Sequence, residues 1–156
     1  MTSGARPALN EFGLIFDEEA WPLAYVRFPS KPLDDEGFEY FIARYTAMVE
    51  RQIPFATILD SRGPTTAISA QQRKRLTEWF DVTGKLAGEY HFGIAVLINS
   101  ALVRGALKAV TWVKPIPVPV RPFGSIAEAA PWIREIFGER KLPITPRIEM
   151  LLAGRS

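Results

Sequence analysis

Asp60 ends an unbroken apolar run over residues 55–59, and the polar residues after it are the densest group in the chain that could do chemistry. Ser61, Arg62, Thr65 and Thr66 follow within a turn-rich segment that also holds Gly63 and Pro64. A carboxylate, hydroxyls and a guanidinium at the carboxyl end of a strand make the kind of polar rim on which open α/β sheets hold their ligands. Acid–base catalysis asks for more, since a second group must reach the same proton. No second carboxylate lies near Asp60 in sequence. The single histidine, His91, opens the next apolar strand, and in a parallel pair it stands at the opposite end of the sheet from Asp60. His91 is therefore read as a partly exposed residue at a strand start, and Asp60 as a turn former bonding its own backbone. No catalytic residue is assigned.

Ser69 stands three residues before Gln72, the spacing of a capping box that starts a helix. The same position would welcome a phosphate, because helix N-terminal donors and the dipole lie behind it. Capping accounts for the serine without any modification. Arg62, Arg73, Lys74, Arg75, Arg104 and Lys108 compose a candidate basic surface, with Arg104 and Lys108 one helical turn apart. Such a surface attracts an anionic ligand, a phosphorylated partner or acidic headgroups. Glu78, Asp81 and Glu89 are interspersed with it, so a solvated helix face explains the charges equally well.

Composition narrows the function classes. At 156 residues the chain suits one domain. Without cysteine it has no disulfide, thiolate metal site or thiol nucleophile, and one histidine excludes a multi-histidine metal centre. No metal is expected. Neither GxxxxGK[ST] nor GxGxxG occurs, and no cofactor is expected. A net charge of +2 is far from the basic stripe of a nucleic-acid binder. No stretch approaches the roughly 20 apolar residues of a membrane span. Residues 1–10 lack the apolar core of a secretory signal and read as a flexible N-terminus. A cytoplasmic protein is the expectation.

These side chains hang on an alternation of strand-like and helix-like segments. Residues 12–16 and 23–28 are short β-prone runs close enough for an antiparallel pair. Asp34 or Asp35 caps a helix whose stripe is Phe38, Phe41, Ile42, Tyr45, Met48 and Val49, leaving Arg44, Glu50 and Arg51 for solvent. Residues 55–59 and 94–98 are continuously apolar, as strands covered on both faces are. Between them a helix carries Leu76, Trp79 and Phe80 inward and stops at Gly84 or Gly88. Asn99 or Ser100 caps a third helix with Leu102, Val103, Ala106, Leu107 and Val110 on one face. Residues 116–120, with Pro115, Pro117 and Pro119, suit an edge strand. Ser125 and Glu128 predict a second capping box, and Gly138 the end of that helix. Thr145 and Pro146 start a short helix with apolar Ile148, Leu151 and Leu152, ending at Gly154. Trp79, Trp112 and Trp132 belong to the core by their helical positions; Trp21 is either a contact residue or folded back.

The order β-β-α-β-α-β-α-β-α, an α/β fold with a mixed central sheet, occupies residues 11–138. Residues 139–156 form a C-terminal extension. The order resembles the STAS domain of bacterial anti-sigma-factor antagonists and their SpoIIAA-like relatives. The likeness is carried by the strand Ala56-Thr-Ile-Leu-Asp60 leading to Ser69, by the strand Gly93-Ile-Ala-Val-Leu-Ile98, and by the helix after Ser125. Antagonists of that family carry an Asp-Ser-Ser-Gly-like stretch whose serine a kinase phosphorylates. Ser69 falls at the matching place, where this chain reads Ala67-Ile68-Ser69-Ala70-Gln71. Fold alone also resembles lipid-binding domains that echo STAS.

The resemblance implies a non-catalytic regulatory module that recognises a protein partner. Its recognition surface would be residues 60–72 and the following helix, with Arg62, Arg73, Ile148, Leu151 and Leu152 as anchors. Homodimerisation through the tail or the N-terminal hairpin edge is the matching assembly. The alternative is a carrier or sensor that holds a small apolar or anionic ligand between sheet and helices. It requires a cavity of at least about 300 Å³ lined by aromatics such as Phe38, Phe41 and Trp79.

Overall fold

The computed structural model describes residues 11–63, 69–100 and 117–154. Five strands form one sheet in the order β1-β2-β3-β4-β5. β1 (Ile15–Asp17) runs antiparallel to β2 (Leu23–Arg27), as the short break between them predicts. β3 (Phe55–Asp60), β4 (His91–Leu97) and β5 (Val120–Phe123) continue the sheet in parallel. The two all-apolar runs thus lie side by side at the centre, each with a strand on either side. The mixed α/β sheet expected from the sequence is present.

The helices divide between the two faces. α1 (Asp35–Glu50) and α2 (Ala70–Tyr90) pack with Ala24, Val26, Phe55 and Ile94. α3 (Ile126–Glu139) and α4 (Pro146–Leu152) cover Leu23, Ala56, Ile58, Ala95 and Leu97. Alternation along each strand sends neighbouring side chains to opposite cores, so both central strands are mostly apolar, with Thr57, Asp60 and His91 their buried polar residues. Asp34 caps α1 through Gly37 N at 2.7 Å, and all six stripe residues of that helix are buried. Ser69 and Gln72 make both halves of the capping box. Ser125 caps α3, but Glu128 returns its bond to Gly124 N instead.

Several boundaries correct the sequence reading. Neither Gly84 nor Gly88 stops α2, which runs to Tyr90. Both glycines face Pro117, and a Cβ at Gly84 would lie 3.2 Å from its ring, so their use is close approach. Gly138 does not end α3 either, and the left-handed residue there is Lys141. The edge strand begins only at Val120. Its proline is Pro122, opposite Val96; among the described residues β5 is an edge strand, where a missing donor is tolerated. The third helix predicted after Asn99, with Arg104, Lys108 and Trp112, lies outside the described residues, as do Thr65 and Thr66. Gly154 sits at φ +79° past α4, as its stop position requires.

The extension is part of the core. Ile148, Leu151 and Leu152 are buried with Trp132, Ile133 and Phe137. They are therefore not free anchors for a partner, because a helix of seven residues holds its shape only by burying that face against its own domain. Trp21 folds back, its ring stacked 5.1 Å from Phe55 beneath the Arg51 guanidinium. Arg44 is likewise not left to solvent: it lies 4.6 Å over the Phe16 ring and pairs with Glu18.

Candidate functional site

Asp60 ends β3 on the α3 and α4 face, in register with Arg27 of β2 and Leu97 of β4. The side chain is almost wholly buried, and both oxygens are occupied. Tyr25 Oη donates to Oδ2 at 2.5 Å. Arg62 closes a two-pronged pair, Nε to Oδ1 at 2.9 Å and Nη2 to Oδ2 at 2.8 Å, while its backbone N also donates to Oδ1. The backbone bond is the turn-forming contact the sequence suggests. Burial alone would raise the carboxyl, but the bonds from Arg62 and Tyr25 outweigh it and hold the pKa below its ordinary value. Asp60 is thus a fixed acceptor. A general acid would need the opposite shift. Tyr25 is correspondingly pushed up by burial and by its bond to the carboxylate. The Arg62 carbonyl in turn accepts from Asn99 Nδ2 at 2.6 Å, which ties the loop after β3 to the end of β4.

On the opposite face the sheet and the two covering helices do not close on each other. A cavity of about 260 Å³ opens between them. Phe38, Phe41, Ile42 and Tyr45 of α1 line one wall, and Leu76, Trp79 and Phe80 of α2 a second. Leu59, Ile94, Val96 and Val120 form the sheet floor. The segment after β2 completes it with Phe28, Pro29, Lys31 and Leu33. Trp79 Nε1 donates to Thr46 Oγ1 at 2.7 Å, so α2 is pinned to α1 at that wall. Gln72, buried, donates to the Leu33 carbonyl at 2.8 Å and fixes the start of α2 against the start of α1. Leu76, Phe80, Leu59 and Val96 are only half-buried, which is what an unfilled apolar space between layers produces.

Beneath Tyr45 lies a buried polar chain. Tyr45 Oη is 2.5 Å from Thr57 Oγ1, which is 3.0 Å from His91 Nε2. The His91 ring stacks on Phe55 at 4.4 Å and 4°. His91 is 1% exposed, which corrects the reading of a partly exposed residue. The cause is an irregular register between β3 and β4, in which Phe55 pairs with His91 and Ala56 already with Gly93. That shift turns His91 toward Tyr45 and Phe55. Burial pushes its pKa down to about 3, against a backbone bond at Gly93 that favours the charged form. His91 and Asp60 do lie at opposite ends of β3, as the parallel pairing requires.

The residues singled out by sequence therefore separate. Asp60 and Arg62 form one knot, and Ser61 turns to the cavity beside Lys31. Ser69 is exposed and caps α2 through Gln72, and Arg73 is exposed in the first turn of α2. The cavity walls Phe38, Phe41 and Trp79 were legible as helix stripes. Phe28, Pro29 and Lys31 were not, since they read only as a strand end broken by prolines. Among the described residues no three His, Asp or Glu side chains are grouped as a metal site, and no helix is long and apolar enough to cross a membrane. Comparison with protein-family models, curated proteins and solved structures finds no match to the chain.

Proposed function

We propose that this α/β domain is a non-catalytic binding protein that holds a small apolar molecule in the cavity between α1, α2 and the sheet, as a carrier or sensor. The cavity itself supports this most directly: about 260 Å³, a little under the size the alternative asks for, but walled by the aromatics it names, Phe38, Phe41 and Trp79. It also reaches the carboxyl ends of β3 and β4, through Leu59, Ser61 and Val96, the side on which open α/β sheets bind. The fold is proposed as STAS-like, on the order of its described elements.

Occupancy is measurable as stability. At a concentration 100 times Kd, 1-octanol stabilises the folded chain by about 2.7 kcal/mol. For a domain of this size that raises Tm by roughly 5–10 °C. Val96→Phe puts a ring into the space, and its Tm then shows no response to the alcohol while its alcohol-free value stays within a few degrees. Absence of any shift in the wild type rejects the reading.

A second reading, a regulatory protein-interaction module in the bacterial cytoplasm, draws on Arg62. Its side chain is 36% exposed yet locked by Asp60, so a partner's carboxylate or phosphate would meet a preorganised cation. Phosphorylation of Ser69 would add charge one turn before Arg73. Arg62 is unsuited to the test because its reversal breaks the Asp60 pair. Arg73→Glu is the variant to use, compared with the wild type at a temperature where both are folded: capture of the partner from a native extract is lost. Undiminished capture removes Arg73 and the start of α2 from that surface.

A further inference from the structure

The polar groups lining the cavity are few. Tyr45 Oη is already engaged with Thr57 and His91, which leaves Lys31 and Ser61. Both follow the carboxyl end of a strand, β2 and β3 respectively, and the two loops touch. A Cβ built on Gly63 would meet Ser30 Cα at 3.2 Å and the Pro29 carbonyl at 3.3 Å, so only glycine lets the loop after β3 lie this close to the segment carrying Lys31. Lys31 is exposed and makes no ion pair among the described residues. The nearby carboxylate, Asp60, points to the other face and is consumed by Arg62 and Tyr25. One end of an apolar chamber thus offers an ammonium and a hydroxyl, and among the described residues no carboxylate lines it.

We infer that the ligand is a small amphiphilic monoanion, an apolar body of about eight carbons bearing one carboxylate, seated with the body against Phe41, Trp79 and Val96 and the carboxylate at Lys31 and Ser61. This rests on the cavity being a ligand site. A body of about eight carbons, at roughly 30 Å³ of liquid volume for each water-sized group, is of the size of the 260 Å³ space. A free acid and an alcohol of equal length share the body and differ only at the end that Lys31 meets, which makes them the discriminating pair.

The full chain is titrated with octanoate, 1-octanol and octylamine by calorimetry at pH 7.5, as wild type and as Lys31→Ala. Octanoate binds the wild type at least fivefold tighter than octanol, as a charged hydrogen bond at a partly exposed site provides. Octylamine binds weaker than either. Lys31→Ala brings octanoate down to the octanol value and leaves octanol unchanged, which a loss of fold would not do. Equal affinities for octanoate and octanol in the wild type overturn the carboxylate assignment while sparing the cavity. Failure of all three to bind overturns the ligand-site reading itself.

Discussion

Lowering the pH from 7.5 to 5 removes about 2 kcal/mol of stability from this domain, and one side chain accounts for it. His91 is the single histidine of the chain. In the unfolded state it takes a proton near pH 6.5, while in the folded state burial holds the ring neutral down to about pH 3. Below 6.5 the unfolded chain therefore binds the extra proton, so stability is complete above that pH and falls as the solution acidifies. The slope approaches about 1.4 kcal/mol per pH unit and persists toward pH 3, where the folded ring also titrates. The window above pH 5 isolates His91, because the paired carboxylate of Asp60, with its pKa held below the usual value, begins to cost stability only near pH 4 and below. Urea midpoints at pH 7.5, 6 and 5 report the slope. His91→Gln keeps an acceptor near Thr57 and has nothing to protonate, so its midpoint stays flat over the same range even if its absolute stability is lower. A wild-type midpoint unchanged between pH 7.5 and 5 would mean that the ring titrates normally and is not sealed beneath Tyr45.

The same residue shows where sequence reasoning stopped. Strict alternation places His91 with Gly93, Ala95 and Leu97, facing α3. One register irregularity at Phe55 and Ala56 sends it to the other core, where it completes the chain from Tyr45 through Thr57. Period-two arguments carry no information about a local slip of one residue. By contrast, the stripe of α1, the cap at Asp34, the capping box at Ser69 and the two central strands were all readable, because each follows from spacing within one element. Glycine was misread at Gly84, Gly88 and Gly138 for a related reason. A helix stop and a close approach both demand the missing Cβ, and only the neighbour, here Pro117 for the first two, tells them apart. The cavity was half legible: helix stripes announce aromatics facing inward but not whether the opposing layer fills the space they leave. Of its polar end only Ser61 was legible, as part of the rim after β3; Lys31, 30 residues earlier, joins it only through the loops after β2 and β3.

Asp60 anchors the corner between β3 and the loop after it, and its removal is costly. Asp60→Ala takes four hydrogen bonds with it: the Tyr25 hydroxyl, two from the Arg62 guanidinium and one from the Arg62 backbone. Breaking a fully buried ion pair costs about 3–5 kcal/mol, but Arg62 is about one-third exposed and regains water, so the expected loss is about 2–3 kcal/mol. For a domain of this length that is a Tm lower by roughly 5–10 °C. Tyr25→Phe, which removes only the hydroxyl, costs about 1 kcal/mol. The double variant costs less than the sum of the two, because the phenylalanine no longer leaves a buried donor unsatisfied. Additive losses would mean that Tyr25 and Asp60 are not partners. The consequence reaches the cavity as well. Ser61 follows Asp60 directly and donates its backbone N to the Leu97 carbonyl at 2.9 Å, and Arg62 offers its own carbonyl to Asn99. Once the carboxylate no longer fixes Arg62, the corner that brings Ser61 and Lys31 together loosens. Asp60→Ala therefore weakens octanoate more than octanol at a temperature where the variant remains folded, although Asp60 faces the opposite core.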